Sequence, residues 1–366
     1  MKTSLSDIVV GRIRKIIFLL LFVCTPIFSK AYCYSVPDTL QEKQTPVKKE
    51  NLFWKVVNFV EMLLEQDTTY VSPDKYNLRL MPQYTYGYEY YHFSSPDNEQ
   101  SITIAPTSSN KLGLYGGWRW LFFGYNFTFN KIRPEFDFEA SLFCVRAGIE
   151  LFYRKRSDGF KIHSLKGFHE NDLPLTNFNR DFDGLAVSQF GASVSYIFNY
   201  RHFSYPAAFC QTTNQRKNAG SFILGLEYNE QTFMFDHTKI DQRLGRLMKL
   251  ELQFQNASYK DICINLGYSY NWVFAKNFVA NITASPAIGY KNTSLKPVGN
   301  SKEFISNINI DLVSRLALTY NNNKYYAGAS LISHTYSYIN PEFSILNGFG
   351  YIKVYAGFNF WRRKQN

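Results

Sequence analysis

The stretch YKDICINLGYSYNWVF, Tyr259 to Phe274, decides the fold class. From Ile262 onward every second residue is large and apolar: Ile262, Ile264, Leu266, Tyr268, Tyr270 and Trp272. Cys263, Asn265, Gly267, Ser269 and Asn271 fill the places between them. A period of two marks a β-strand with one apolar and one polar face. It does not say which solvent each face meets. A water-soluble sheet turns its apolar face inward, whereas a membrane barrel turns it outward to lipid.

The pattern recurs along the chain. In NLRLMPQYTYGYEYY (77–91), Leu78, Leu80, Tyr84, Tyr86, Tyr88 and Tyr90 oppose Arg79, Gln83, Thr85 and Glu89. KLGLYGGWRWLFFGYNFTF (111–129) reads as a hairpin. SLFCVRAGIELFYR (141–154) follows, with FKIHSLKGF (160–168) as its partner across the turn Ser157-Asp158-Gly159. Further alternating runs centre on Val194, Leu224, Ile282, Leu312, Leu331 and Val354, and a short strand is expected near 203–210. Most runs are close to the roughly 9–11 residues that a tilted strand needs to cross a bilayer. Twelve strands are expected, within a range of 10 to 14, since bacterial single-chain barrels close with even numbers. Short turns (Ala275-Lys276-Asn277 and Asn321–Asn323) alternate with long connections at 94–109, 169–182, 236–248 and 291–303.

The polar phase decides between the two solvents. It is rich in Gly, Ser, Thr, Asn and Gln, with occasional charges of both signs, while the apolar phase is almost free of charge. An Arg or Lys facing mid-bilayer costs about 2–4 kcal/mol, so that asymmetry fits lipid outside. Arg79, Glu89, Arg146, Glu150, Arg154, Glu227, Asp311, Arg315 and Lys353 are then the expected lumen charges, a cluster able to fill the interior with its own ion pairs. Aromatic residues make up 18% of the chain, as suits the edges of a bilayer. The last strand ends Phe358-Asn359-Phe360-Trp361, close to the aromatic-ended strand that barrel-assembly machinery reads, although Arg362 to Asn366 trail beyond it.

The N-terminus supports export. Arg12, Arg14 and Lys15 precede the apolar run Ile16–Val23, and small residues follow at Ser29-Lys30-Ala31. The expected organisation is a signal peptide (1–31), a periplasmic lead (32–75), a barrel (76–361) and a short tail (362–366). Within the lead, Phe53, Val56, Val57, Val60, Leu63 and Leu64 recur at helical spacing and predict an amphipathic helix. Its expected roles are packing on the barrel end, lying on the leaflet, or binding an envelope protein partner. The formal charge of +11 becomes about +7 once the signal's five cations and single acid are removed. For an exported chain this points to anionic lipid or sugar headgroups and excludes nucleic acid.

Catalytic chemistry has little support. Cys33, Cys144, Cys210 and Cys263 form no ligand-spaced cluster, so no metal or other cofactor is expected. Asp236-His237 resembles half of an omptin-type protease pair, but sequence neighbours on a strand point to opposite faces and could cooperate only in a loop. His163-Ser164 lacks the spacing of a phospholipase pair. No enzyme is expected.

Three stretches, DTTYVSPDKYNLRLM (67–81), GLYGGWRWLFFGYNF (113–127) and IELFYRKRSDGFKI (149–162), resemble domain-of-unknown-function family 4421, a Bacteroidetes family. The resemblance spans about 50–361. It implies an outer-membrane β-barrel and supplies no catalytic residues. The resulting expectation is an all-β, up-and-down transmembrane barrel in the outer membrane, with a structural or interaction role and a largely filled lumen. A passive small-solute channel is the alternative, and an outer-membrane hydrolase stands third. Expected partners are outer-membrane lipid and, during insertion, the assembly machinery.

Overall fold

The computed structural model describes residues 66–73, 75–118, 121–128, 136–143, 145–168, 180–240, 242–249, 252–297, 303–339 and 344–362. The expected signal peptide and all of the predicted helix before Gln66 lie outside them.

In chain order the strands are β1 (Val71–Pro73), β2 (Tyr76–Ser94), β3 (Ser101–Pro106), β4 (Ser109–Trp118), β5 (Leu121–Thr128) and β6 (Phe136–Phe143). There follow β7 (Ala147–Arg156), β8 (Phe160–Lys166), β9 (Arg180–Asp181), β10 (Leu185–Ile197), β11 (Thr213–Gln215) and β12 (Ala219–Phe235). The chain closes with β13 (Phe254–Ala275), β14 (Phe278–Pro297), β15 (Glu303–Asn321), β16 (Tyr325–Ile339) and β17 (Ser344–Arg362). Two short helices interrupt them, α1 (Tyr205–Phe209) and α2 (Gln242–Leu247).

Twelve strands build an antiparallel wall in the order β6-β7-β10-β12-β13-β14-β15-β16-β17-β2-β4-β5. The path's two ends, β5 and β6, are consecutive in the chain and in contact. The first and last wall strands are zipped together, with Tyr84 opposite Val354 and Arg362 opposite Tyr76. This is the up-and-down barrel expected from the alternation. Tight turns close one end, where Asn277 and Asn323 take left-handed φ values of 67° and 73°.

The outer surface is apolar. Ile264 is 61% and Ile308 74% exposed, whereas Ser269 and Asn271 on the other phase are fully covered. Such a surface is stable only against an apolar solvent, so the barrel spans a membrane. Its strands are nonetheless much longer than a bilayer requires, 22 residues for β13. The outward apolar run on β13 covers Ile262 to Phe274, and at its other end Lys260 faces out instead. At that level the pattern inverts. Tyr91, Phe93, Val187, Phe233, Ala257 and Tyr259 point inward and are buried, while Lys260 and Met234 are exposed. The same strands therefore cross lipid for about one membrane thickness and then continue as a water-soluble sandwich wall.

Two expectations are corrected. Residues 160–168 do not continue the wall beside β7, whose partners are β6 and β10. They form β8, which leaves the barrel and pairs with β3 and β9 above the long-loop mouth. Phe160 and Ile162 are buried there, so the segment was drawn off the wall by an apolar cluster. The expected strand near 203–210 is helix α1, capped by Ser204, whose hydroxyl accepts from the Ala207 amide at 3.3 Å. Pro206 lacks the amide hydrogen that a strand ladder needs.

Candidate functional site: the closed lumen

At the long-loop end, three connections fold over the mouth. β3, β8 and β9 extend the sheet from β2, and the segment carrying α2 lies against them. Phe93, Ile102, Phe160, Phe182, Phe233 and Leu244 belong to one buried cluster. Tyr91 and Phe233 meet edge to face at 5.4 Å. Polar clasps tie the loops: Gln100 Nε2 donates to Leu247 O (2.8 Å), and its Oε1 accepts from the Lys249 amide (2.8 Å). The Lys249 ammonium bonds the carboxylates of Asp97 and Glu99. These bonds, with help from the Ser95 hydroxyl, hold Asp97 well below the usual carboxylate range and raise Lys249.

At the other end, the connection 198–218 turns into the barrel. Its β11 pairs with β1, so residues 71–73, expected as part of the periplasmic lead, form a strand against it. Side-chain amides of both the wall and the connection hold it. Asn271 Nδ2 donates to Ser204 O (2.8 Å), Gln211 Nε2 to the Tyr355 hydroxyl (2.7 Å), and Asn214 Nδ2 to Asn321 O (2.5 Å). Ser269, Asn281 and Thr283 continue this network across β13 and β14. Asn281 is buried within it.

Between the two closures lie most of the charges singled out from sequence. Arg315 bridges Glu150 (2.5 Å) and the Tyr205 hydroxyl of α1 (2.9 Å), linking wall and inner connection. Glu227 accepts from Asn265 Nδ2 at 2.6 Å. Asp311 instead joins Lys291 (3.9 Å), Asp261 and Cys263 in a second group. Arg154 bonds the Tyr351 hydroxyl and lies 4.3 Å from the Phe349 ring centre. Glu89 meets Arg156 at 3.6 Å, Arg146 covers the Tyr200 ring at 4.3 Å, and Lys353 stands 4.9 Å from the Tyr351 ring. Arg79 is buried on β2 near the tight-turn end, opposite Asn359. The nine charges thus divide among several partners and do not converge on one centre.

The cavity bounded by Glu150, Phe152, Glu227, Asn229, His334 and Tyr336 has a volume of about 30 Å³. That is room for a water molecule or two, not for a solute. Asp261, Cys263 and Asp311 bring ligand-type atoms within 4.8 Å of one another. Cys263 Sγ donates to Asp261 Oδ2 at 3.1 Å, and the neighbouring Lys291 ammonium already supplies the positive charge. Gly289 makes room for that sulfur, since a Cβ there would fall 2.2 Å from it. Asn271 was placed on the polar phase from sequence, whereas Lys291, Asp261, Gln211 and Asn214 were not singled out. Lys291 and Asp261 sit on the inward phase and were legible on that ground; Gln211 and Asn214 lie in a connection with no phase.

The family model for a domain of unknown function (DUF4421) matches residues 65–360. The chain belongs to that family. No curated protein matches it in sequence. Among solved structures, the outer membrane protease OmpT from Escherichia coli aligns at 7% identity over 79% of this chain and 98% of its own, with a TM-score of 0.40. The translocator domain of the autotransporter NalP from Neisseria meningitidis aligns at 8% identity over 84% and 97%, TM-score 0.28. OprG of Pseudomonas aeruginosa aligns at 9% identity over 79% and 98%, TM-score 0.24. Similarity at this level assigns no activity to a DUF4421 chain.

Proposed function

We propose that this protein is an outer-membrane barrel with a structural or interaction role and a lumen closed to solutes. The observation that carries the reading is the double closure: the inner connection pinned by Asn271, Tyr355 and Asn321, and the apolar cap over the opposite mouth. A pore requires a lumen wider than its side chains, and the central cavity of about 30 Å³ does not offer one. The signal-like N-terminal sequence and the apolar outer wall support the outer membrane as its site. The long loops, built as a packed cap, supply a surface for an envelope partner.

Planar-bilayer recording of the purified full chain tests the reading. Wild type is expected to be silent. A variant with 204–214 replaced by a Gly/Ser linker is expected to give open steps. Stable conductance from wild type would make the protein a channel and overturn the closed-lumen reading.

A further inference from the structure

The outer wall carries a dent at its tight-turn end, where the lipid-facing side chains become small. One row of register partners runs Trp272, Ala280, Leu318, Ala329, and the next runs Tyr270, Ile282, Leu316, Leu331, Ile352. Ala280 and Ala329 stand between the larger Trp272, Ile282, Leu316, Leu318, Leu331 and Ile352, leaving a groove of about 650 Å³. That volume is within the roughly 300–1,000 Å³ typical of small-molecule sites. Below the groove an aromatic shelf, Phe274, Phe278 and Tyr320, steps toward the turns with ring centres 5.7 and 5.0 Å apart.

The turns beneath the shelf are cationic. Lys276 lies in the β13–β14 turn and Lys324 in the β15–β16 turn, both exposed. The two turns are joined, since the Asn321 amide donates to Asn277 O at 2.8 Å. Lys75 and Arg362 are exposed on the same end. Asp67 is the carboxylate described there, and it already faces His202 at 3.6 Å. An apolar groove, an aromatic shelf and a pair of exposed lysines, of which Lys324 lies 5.2 Å from the Tyr325 ring centre, follow one another along the membrane normal, which is the order of acyl chain, interface and headgroup in a lipid.

We infer that this face is a binding site for one anionic phospholipid of the adjoining leaflet. An acyl chain fills the groove between Trp272 and Ile352, the glycerol region rests on Phe278 and Tyr320, and the phosphate sits between Lys276 and Lys324. The assignment is independent of whether the lumen conducts.

Native mass spectrometry of the full chain, released from detergent with phosphatidylglycerol or phosphatidylcholine of identical acyl chains, tests it. Wild type is expected to retain one phosphatidylglycerol with about thirtyfold preference, the effect of two interfacial cations at about 1 kcal/mol each. Lys276→Glu with Lys324→Glu should abolish the preference, and Ala280→Leu with Ala329→Leu should displace both lipids. Heat-modifiable gel mobility checks that each variant folds. Equal retention of the two lipids by wild type would overturn the site, as would unchanged binding in the folded variants. A groove variant that converts a dimer to a monomer while keeping its lipid would assign the face to a second copy and overturn it as well.

Discussion

Ile264 and Phe233 are both large, apolar and on neighbouring wall strands, yet Ile264 faces out and Phe233 faces in. The difference is the solvent at their level. Ile264→Lys places a charge against lipid and is expected to cost about 2–4 kcal/mol, read as a lower folded yield in vesicles. Thr232→Lys, also outward but above the inversion, should fold as wild type. Phe233→Ala leaves a cavity in the cap and should cost about 3–5 kcal/mol in urea unfolding from micelles, with membrane insertion intact. Arg315→Ala strands Glu150 and the Tyr205 hydroxyl. It is expected to cost about 3–5 kcal/mol, toward the lower figure because the Glu150 side chain keeps 24% exposure. Equal unfolding of Arg315→Ala and wild type would show that the inner connection does not depend on this bridge.

Among elements, the α2 segment depends most visibly on polar contacts, through Lys249 and Gln100. Asp97 is held low, so its share of the clasp is complete above the unfolded carboxylate value of about 4 and is lost as pH falls further. Lys249 is held high, so its share is complete below the unfolded value of about 10.4 and is lost as pH rises past it. Nitroxides at Asn98 and Arg246 should therefore keep a narrow distance distribution from about pH 4 to pH 10 and broaden progressively as pH moves well outside that window. Lys249→Ala should be broad throughout. A wild-type distribution that does not change with pH would mean that the apolar cluster alone holds the loops. The pair is exposed, so overall unfolding should hardly shift. β8 makes a related point. Its Phe160 and Ile162 bury themselves only because β3 and the segment carrying α2 arrive from distant parts of the chain.

At the scale of the molecule, one wall serves two solvents. The inversion was present in the sequence: on β12, Phe222, Leu224, Leu226 and Tyr228 hold the even positions, then Phe233 and Phe235 hold the odd ones. A period-two reading that tracks only spacing passes over it, because spacing is unchanged when phase shifts. The same gap hid the true strand lengths, so that 291–303 was expected as loop although β14 runs to Pro297 and β15 starts at Glu303. Local pattern determined the barrel, its outward face, its tight turns and which charges point inward, since each follows from the geometry of neighbouring residues on a strand. Tertiary structure decided the rest. Glu150 and Arg315 are 165 residues apart, and Asn271 meets Ser204 across 67. Partnership over such distances depends on barrel order and on an inner connection whose path no periodicity encodes. For that reason the sequence by itself determined a lumen lined with charge, and only the folded chain decided which segments lie over its two ends.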